Sequence, residues 1–158
     1  MKKMILPALA ALAFATPALA NEARVEARGG VFSIAGASEG FGGIAAGYDF
    51  DLGESGPFVG VEVSGDKIFT NDTKVVFGAT GRIGYRVGGG DERATRLFVA
   101  GGYSSKPCDL CEDSFHLGGG IQQGVSGPVY VKFEYRHFLV NGGLPDADAF
   151  SLGVGARF

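Results

Sequence analysis

The sequence predicts an all-β fold: a closed, eight-stranded, antiparallel up-and-down transmembrane β-barrel, preceded by a cleaved signal peptide. Three observations carry this. The last nine residues alternate strictly. Phe150, Leu152, Val154, Ala156 and Phe158 are apolar, while Ser151, Gly153, Gly155 and Arg157 between them are small or charged. That period of two belongs to a strand with two unlike faces. The same pattern recurs along the chain. Finally, no segment after residue 20 offers an apolar run of the roughly 20 residues a membrane helix needs. If the chain enters a membrane it does so as a closed barrel, because only helices and barrels satisfy their backbone polar groups in lipid.

The export signal comes first. Lys2 and Lys3 precede the uncharged apolar stretch Met4–Phe14, and Ala18-Leu19-Ala20 is a small-x-small cleavage site. Residues 1–20 therefore read as a signal peptide and residues 21–158 as one barrel domain. The full chain has 158 residues and a formal charge of −3. Loss of Lys2 and Lys3 makes the mature chain more acidic still. There is no basic stripe or motif of the kind that nucleic acid requires. Glycine is abundant, 28 residues, but dense Phe, Tyr and Val set the chain apart from Gly-rich disorder.

The expected strands cover roughly 30–37, 41–52, 57–66, 74–87, 95–104, 114–125, 129–138 and 149–158. The second runs through Ile44, Ala46, Tyr48 and Phe50, and the third through Val59, Val61 and Val63. The fourth carries Phe77, Ile83, Tyr85 and Val87 on one parity and Arg82 and Arg86 on the other. In the fifth, Leu97-Phe98-Val99 leaves the facing open. The sixth alternates at Phe115, Leu117 and Ile121; the seventh at Val129, Val131, Phe133 and Tyr135. The first strand is the least regular. Val25 and Ala27 share one parity, Phe32 and Ile34 the other, so either a bulge sits at Gly29-Gly30 or the strand begins after it.

Membrane barrels of this type begin and end in the periplasm, with short turns there and longer loops outside. The expected short connections are Gly53–Gly56, Gly88–Ala94 and Ser126–Pro128. The expected longer ones are Lys67–Thr73, Ser105–Asp113 and Leu139–Asp148, and a short first outer loop lies near Ser38-Glu39-Gly40.

Facing then follows from cost. A basic side chain on the lipid face at mid-bilayer costs about 2–4 kcal/mol. The charged parity is therefore assigned inward: Asp49, Asp51, Glu62, Asp66 and Glu134 against Arg82, Arg86, Lys132, Arg136 and Arg157. An eight-stranded interior is just wide enough for side chains to fill. The expectation is a lumen plugged by paired charges, with a gated ion path or proton relay as the alternative. Inward glycines leave room for the long basic chains.

The signal peptide, the alternating strands, Phe133-Glu134-Tyr135-Arg136 and the terminal Ala156-Arg157-Phe158 resemble the small outer-membrane β-barrel family. That family takes in the OmpA transmembrane domain, the OmpX type and opacity-type porin-family proteins. The resemblance implies location in the outer membrane of a Gram-negative envelope and a structural, adhesive or surface-interaction role, with no cofactor. It implies that Phe158 is the assembly signal. The implied partners are outer-membrane lipid and lipopolysaccharide, the barrel assembly machinery and a possible surface partner reached through the loops. The chain is expected to be a monomer. It is expected to depart from full OmpA proteins in having no peptidoglycan-binding domain, and its 158 residues include no Trp, so Phe and Tyr are expected to form the interfacial girdles.

Chemistry-bearing motifs are sparse. Cys108-Asp109-Leu110-Cys111 is the only cysteine pair. In an oxidising compartment a local disulfide is the first reading. A surface metal site with Asp113 and His116 is the alternative, though structural zinc wants four ligands. His116 and His137, with Ser104, Ser105, Ser114 and Asn141 near the same loops, are the candidates for a lipid-modifying enzyme built on a Ser–His pair. The His-x-Ser pattern of lipid A deacylases is missing: the residues after His137 are Phe138-Leu139. Gly40-x-Gly42-x-x-Ala45 has dinucleotide-motif spacing but opens a strand rather than a helix. The reading is therefore non-enzymatic. A lipid-modifying enzyme, a small-conductance pore and a soluble lipocalin-type barrel with inverted facing are the alternatives.

Overall fold

The computed structural model describes residues 21–52, 56–88 and 93–158. The expected signal peptide lies outside them, as does most of two short connections. Eight strands form one closed barrel in sequence order. They are β1 (Asn21–Ile34), β2 (Ala37–Asp51), β3 (Pro57–Ile68), β4 (Val75–Val87), β5 (Thr95–Ser104), β6 (Ser114–Ser126), β7 (Val129–Val140) and β8 (Ala147–Arg157). Every neighbouring pair is antiparallel, and β1 closes on β8 from Arg24 opposite Arg157 to Ile34 opposite Ala147. Phe158 extends that seam by exchanging backbone hydrogen bonds with Ala23 at 2.8 and 3.0 Å.

Six of the eight strands have 12–15 residues, more than the roughly 9–11 that cross a bilayer. The end of the barrel opposite the termini is here called the loop end. Its connections are residues 35–36, 69–74, 105–113 and 141–146. The end carrying both chain termini is the terminal end.

The first strand differs from the sequence expectation. β1 begins at Asn21, and its register with β2 and β8 runs through Gly29 and Gly30 without a shift. There is no bulge and no late start. Even-numbered residues face inward along the whole strand, so Phe32 and Ile34 change parity because the lumen itself becomes apolar at the loop end. The first hairpin also turns earlier than expected. Ala35 (φ 50°) and Gly36 (φ 85°) form the two-residue turn, and Ser38, Glu39 and Gly40 belong to β2. Two positive φ values match the right-handed twist of the flanking strands.

Outward side chains are apolar and open to the surroundings: Ile44 is 69% exposed, Phe77 67%, Leu152 67% and Val63 60%. A soluble monomer rarely shows apolar patches beyond a few hundred Å²; this face encircles the barrel and suits lipid. Aromatics gather at its two margins. Tyr48, Phe50, Tyr85 and Phe158 lie near the terminal end, and Phe69, Phe77, Tyr103 and Phe115 near the loop end. The Phe69 ring lies over the outward backbone of Gly40 and Gly42; a Cβ on Gly42 would sit 3.0 Å from its Cζ.

Candidate functional site

Two inward regions differ in chemistry, and the strands set both by parity. The larger fills the middle and terminal end. Glu62 lies at its centre. It accepts from Arg24 (Nη1, 2.6 Å), Arg28 (Nη1, 3.0 Å) and Arg136 (Nη2, 2.8 Å), and Lys132 Nζ stands 3.6 Å away. Lys132 also pairs with Glu26 at 2.8 Å and Glu134 at 3.0 Å. Arg136 donates Nε to Glu134 at 2.8 Å. Nearer the terminal end, Asp49 holds both arms of Arg82, through Nε at 2.8 Å and through Nη2. Arg96 reaches Asp49 at 3.1 Å and Glu22 at 2.6 Å, and Arg86 reaches Asp51 at 3.5 Å. Arg157 is buried on the inward face of β8.

These charges are almost fully removed from solvent: Asp49 is 0% exposed, Glu134 1%, Arg24 2% and Lys132 2%. Buried charges at this density survive only when each is paired. Inward glycines supply the room. A Cβ on Gly47 would lie 2.7 Å from Arg24 Cζ, and one on Gly153 would lie 2.6 Å from Glu26 Cδ. Phe58 and Phe98 flank the Arg82 guanidinium, with ring centroids 5.3 and 5.1 Å away. Such stacks add about 0.5–2 kcal/mol each.

Sequence reasoning missed several of these residues. Arg24, Glu26 and Arg28 fell outside the expected first strand, and Arg96 lay beside the ambiguous Leu97-Phe98-Val99. Phe98 is inward and buried at 6%, while Leu97 and Val99 face out. A usable signal existed: Glu22, Arg24, Glu26 and Arg28 alternate with Ala23, Val25 and Ala27.

The smaller region is a cup at the loop end of the lumen. Phe32, Phe41, Ile68, Val76 and Phe138 form its walls, and all are half-buried. Arg28, Asp66 and Arg136 lie at its base, where Asp66 accepts from Arg28 Nε at 2.9 Å and Nη2 at 2.6 Å. His116 lies beside it, sharing 3.1 Å and 3.0 Å hydrogen bonds with the hydroxyls of Ser104 and Thr80. His116 therefore points into the barrel and away from the cysteines.

The loops at this end are tied together. Cys108 and Cys111 are joined by a disulfide, with Cα atoms 5.0 Å apart, so neither is a metal ligand. Among the described residues no cluster of His, Cys, Asp and Glu could hold a metal. Lys74 pairs with Asp109 and donates its backbone N–H to Pro107. Asp113 accepts from Tyr103 Oη and from Asn141 Nδ2 at 2.6 Å. Those bonds hold the Asp113 carboxyl below its usual range, as the Lys74 bond does for Asp109. His137 faces out, 2.9 Å from Asp148.

Residues 6–158 match the outer membrane protein beta-barrel domain family. The chain belongs to that family. Three solved structures share its fold. Neisserial surface protein A superposes with a TM-score of 0.62 at 14% identity, over 87% of this chain and 97% of that one. The N-terminal barrel domain of Pseudomonas aeruginosa OprF gives 0.55 at 14% identity, over 85% and 97%. Ail, the attachment invasion locus protein of Yersinia pestis, gives 0.55 at 12% identity, over 87% and 97%. The search of curated proteins finds no match. At these identities the likeness is one of fold.

Proposed function

We propose that this outer-membrane-family barrel is an integral protein of the outer membrane, exported by residues 1–20, with its termini in the periplasm. Its lumen is plugged by the charge network, and its work is done by the loop surface in a structural or adhesive contact. The supporting observation is the cross-tied loop end. The Lys74–Asp109 pair and the Asp113–Asn141 bond fix residues of separate loops relative to one another, the Cys108–Cys111 bridge closes the tip of the 105–113 loop, and Tyr103 of β5 anchors Asp113. A preorganised surface loses less entropy on binding than free loops do. Leu110, 96% exposed beside the bridge, is presented by it.

Ail's name describes attachment, and its structure has been determined with a heparin analogue, sucrose octasulfate. The loop end here carries Asp72, Asp109, Glu112, Asp113 and Asp146 against Lys74 and Lys106. A polyanion is therefore disfavoured, and a partner with neutral or basic surface fits better.

The test is fractionation of cells expressing the full chain, followed by whole-cell binding to a panel of matrix proteins. A heat-modifiable outer-membrane band, with binding lost in a Cys108→Ser/Cys111→Ser/Lys74→Ala variant, supports the reading. Binding no greater than in cells without the protein removes the adhesive role. The 3.1 Å Ser104–His116 contact favours a second reading, lipid hydrolysis. The other His116 nitrogen meets Thr80 where a triad would place a carboxylate. Ester hydrolysis abolished by His116→Ala would establish that reading.

A further inference from the structure

We propose that the loop-end cup binds a small amphiphilic monoanion of the alkyl carboxylate class, chain against the Phe walls and head at Arg136. This goes beyond the adhesive reading and does not depend on it.

The walls carry the first half of the argument. Elsewhere in the lumen large apolar side chains are packed away: Phe58 and Tyr130 are 0% exposed and Phe98 is 6%. In the cup, five large apolar side chains converge from β1, β2, β3, β4 and β7 and stay half-buried around open space. Phe32 and Phe138 touch edge to face, ring centroids 5.7 Å apart, and leave the rest of their surfaces bare. A concave, largely apolar site with a few converging polar groups, at the mouth of a barrel, is the usual form of a small-ligand pocket. Its volume is about 60 Å³; one water needs roughly 10–15 Å³. That admits the end of an alkyl chain or a ring, and not a sugar chain or a folded polypeptide.

The base carries the second half. Two guanidiniums and one carboxylate line the cup. The carboxylate, Asp66, is gripped by both Nε and Nη2 of Arg28. A guanidinium has five N–H donors. Arg136 commits Nε to Glu134 and Nη2 to Glu62, both below the cup, so donor capacity remains at its floor. A carboxylate matches that planar fork. The apolar walls lower the local dielectric and strengthen the contact.

The test uses the mature protein in lipid nanodiscs with photoactivatable diazirine analogues of octanoate and octanol, and mass-spectrometric mapping of the labelled peptides. Octanoate should label peptides carrying Phe32, Phe41 or Phe138 at least fivefold more than octanol does. Arg136→Gln should erase that preference. Because that change could also disturb the barrel, Val76→Trp provides a second variant. It fills the cup from the wall, away from the charge network. It should cut labelling about tenfold while the unboiled band keeps its folded mobility. The chain has no native Trp, so the emission of this residue reports the cup directly. Equal labelling by both probes, unaffected by Arg136→Gln, would mean that lipid chains fill the cup, and would overturn the anion site. Labelling confined to outward residues such as Phe133 and Leu152 would overturn the site altogether.

Discussion

The two ends of one lumen are built from the same strands at the same parity, yet they differ in chemistry. Toward the terminal end and the middle, the inward positions carry ions, and nearly every ion is both dry and paired. At the loop end the inward positions turn to Phe, Ile and Val, and the packing opens. Deletion within such a network is costly, because members such as Glu62 and Lys132 each neutralise several others. An open apolar cup tolerates truncation, because its walls never completed their contacts. The strand pattern thus separates a dry, ion-paired region from an open apolar mouth.

The largest effect is expected at Glu62. Glu62→Gln removes the anion shared by Arg24, Arg28, Arg136 and Lys132. Leaving those cations uncompensated should destabilise the barrel by about 3–5 kcal/mol. Urea unfolding in lipid vesicles, followed by the gel-mobility shift, checks this. A loss as small as that of a cup variant would erase the distinction between the two regions.

Next comes the space the ions occupy. Gly153→Ala drives a Cβ against the Glu26 carboxyl, and Gly47→Ala drives one against Arg24. Overpacking of this kind costs about 1–3 kcal/mol. The same measurement on a loop-end glycine with open space around it, Gly143, should show less, apart from the strain of its positive φ.

In the cup, Phe138→Ala removes a half-buried ring that touches Phe32 and His116. The loss should be about 1–2 kcal/mol, below the about 3–5 kcal/mol range for fully buried Phe. A larger loss would show that the mouth is packed as tightly as the plug.

The smallest effect concerns the first hairpin. Ala35 sits at φ 50°, where a Cβ costs roughly 1–2 kcal/mol. Ala35→Asn or Ala35→Gly should stabilise the barrel by up to about 1 kcal/mol, visible as a higher urea midpoint. An unchanged or lower midpoint would mean the turn differs from the one described.

Acid should separate the loops from the lumen in a defined direction. Asp109 and Asp113 are depressed below the ordinary carboxylate value of 3.8, first by hydrogen bonds from Lys74 and Tyr103. Their ties are fully present above that value and are lost as pH falls through the lower, folded-state value. Loop amide exchange, corrected for its intrinsic pH dependence, should therefore stay constant from neutral pH to about 5. Loosening already at pH 6 would contradict the assigned bonds.

Much of this was legible in the sequence, and the failures have physical causes. Strict alternation at Phe150–Phe158 and Val129–Arg136 gave strand, parity and face together, because charge and lipid cannot share a side. The inward placement of Asp49, Glu62, Arg82, Lys132, Glu134 and Arg136 followed from that single rule. The rule broke where its premise did. It treated apolar as outward, so Phe32 and Ile34, which face the lumen, looked like a change of phase, and inward Phe98 beside Leu97 and Val99 left the facing of β5 open. That misreading cut nine residues from β1 and hid Arg24, Glu26 and Arg28. The ties between loops, such as Lys74 to Asp109 and Asn141 to Asp113, join residues 28–35 positions apart with no periodic signal. Only the fold brings them together.

The most direct test of a plugged lumen is electrical. Purified mature protein, shown to be folded by its unboiled gel mobility, is reconstituted into a planar lipid bilayer in molar salt. A lumen closed by the Glu62 and Asp49 networks predicts a flat trace, and discrete steps only after a variant such as Glu62→Gln loosens the plug. Steady unit steps from the unaltered protein, scaling with salt concentration, would contradict closure and make the barrel a small-conductance pore.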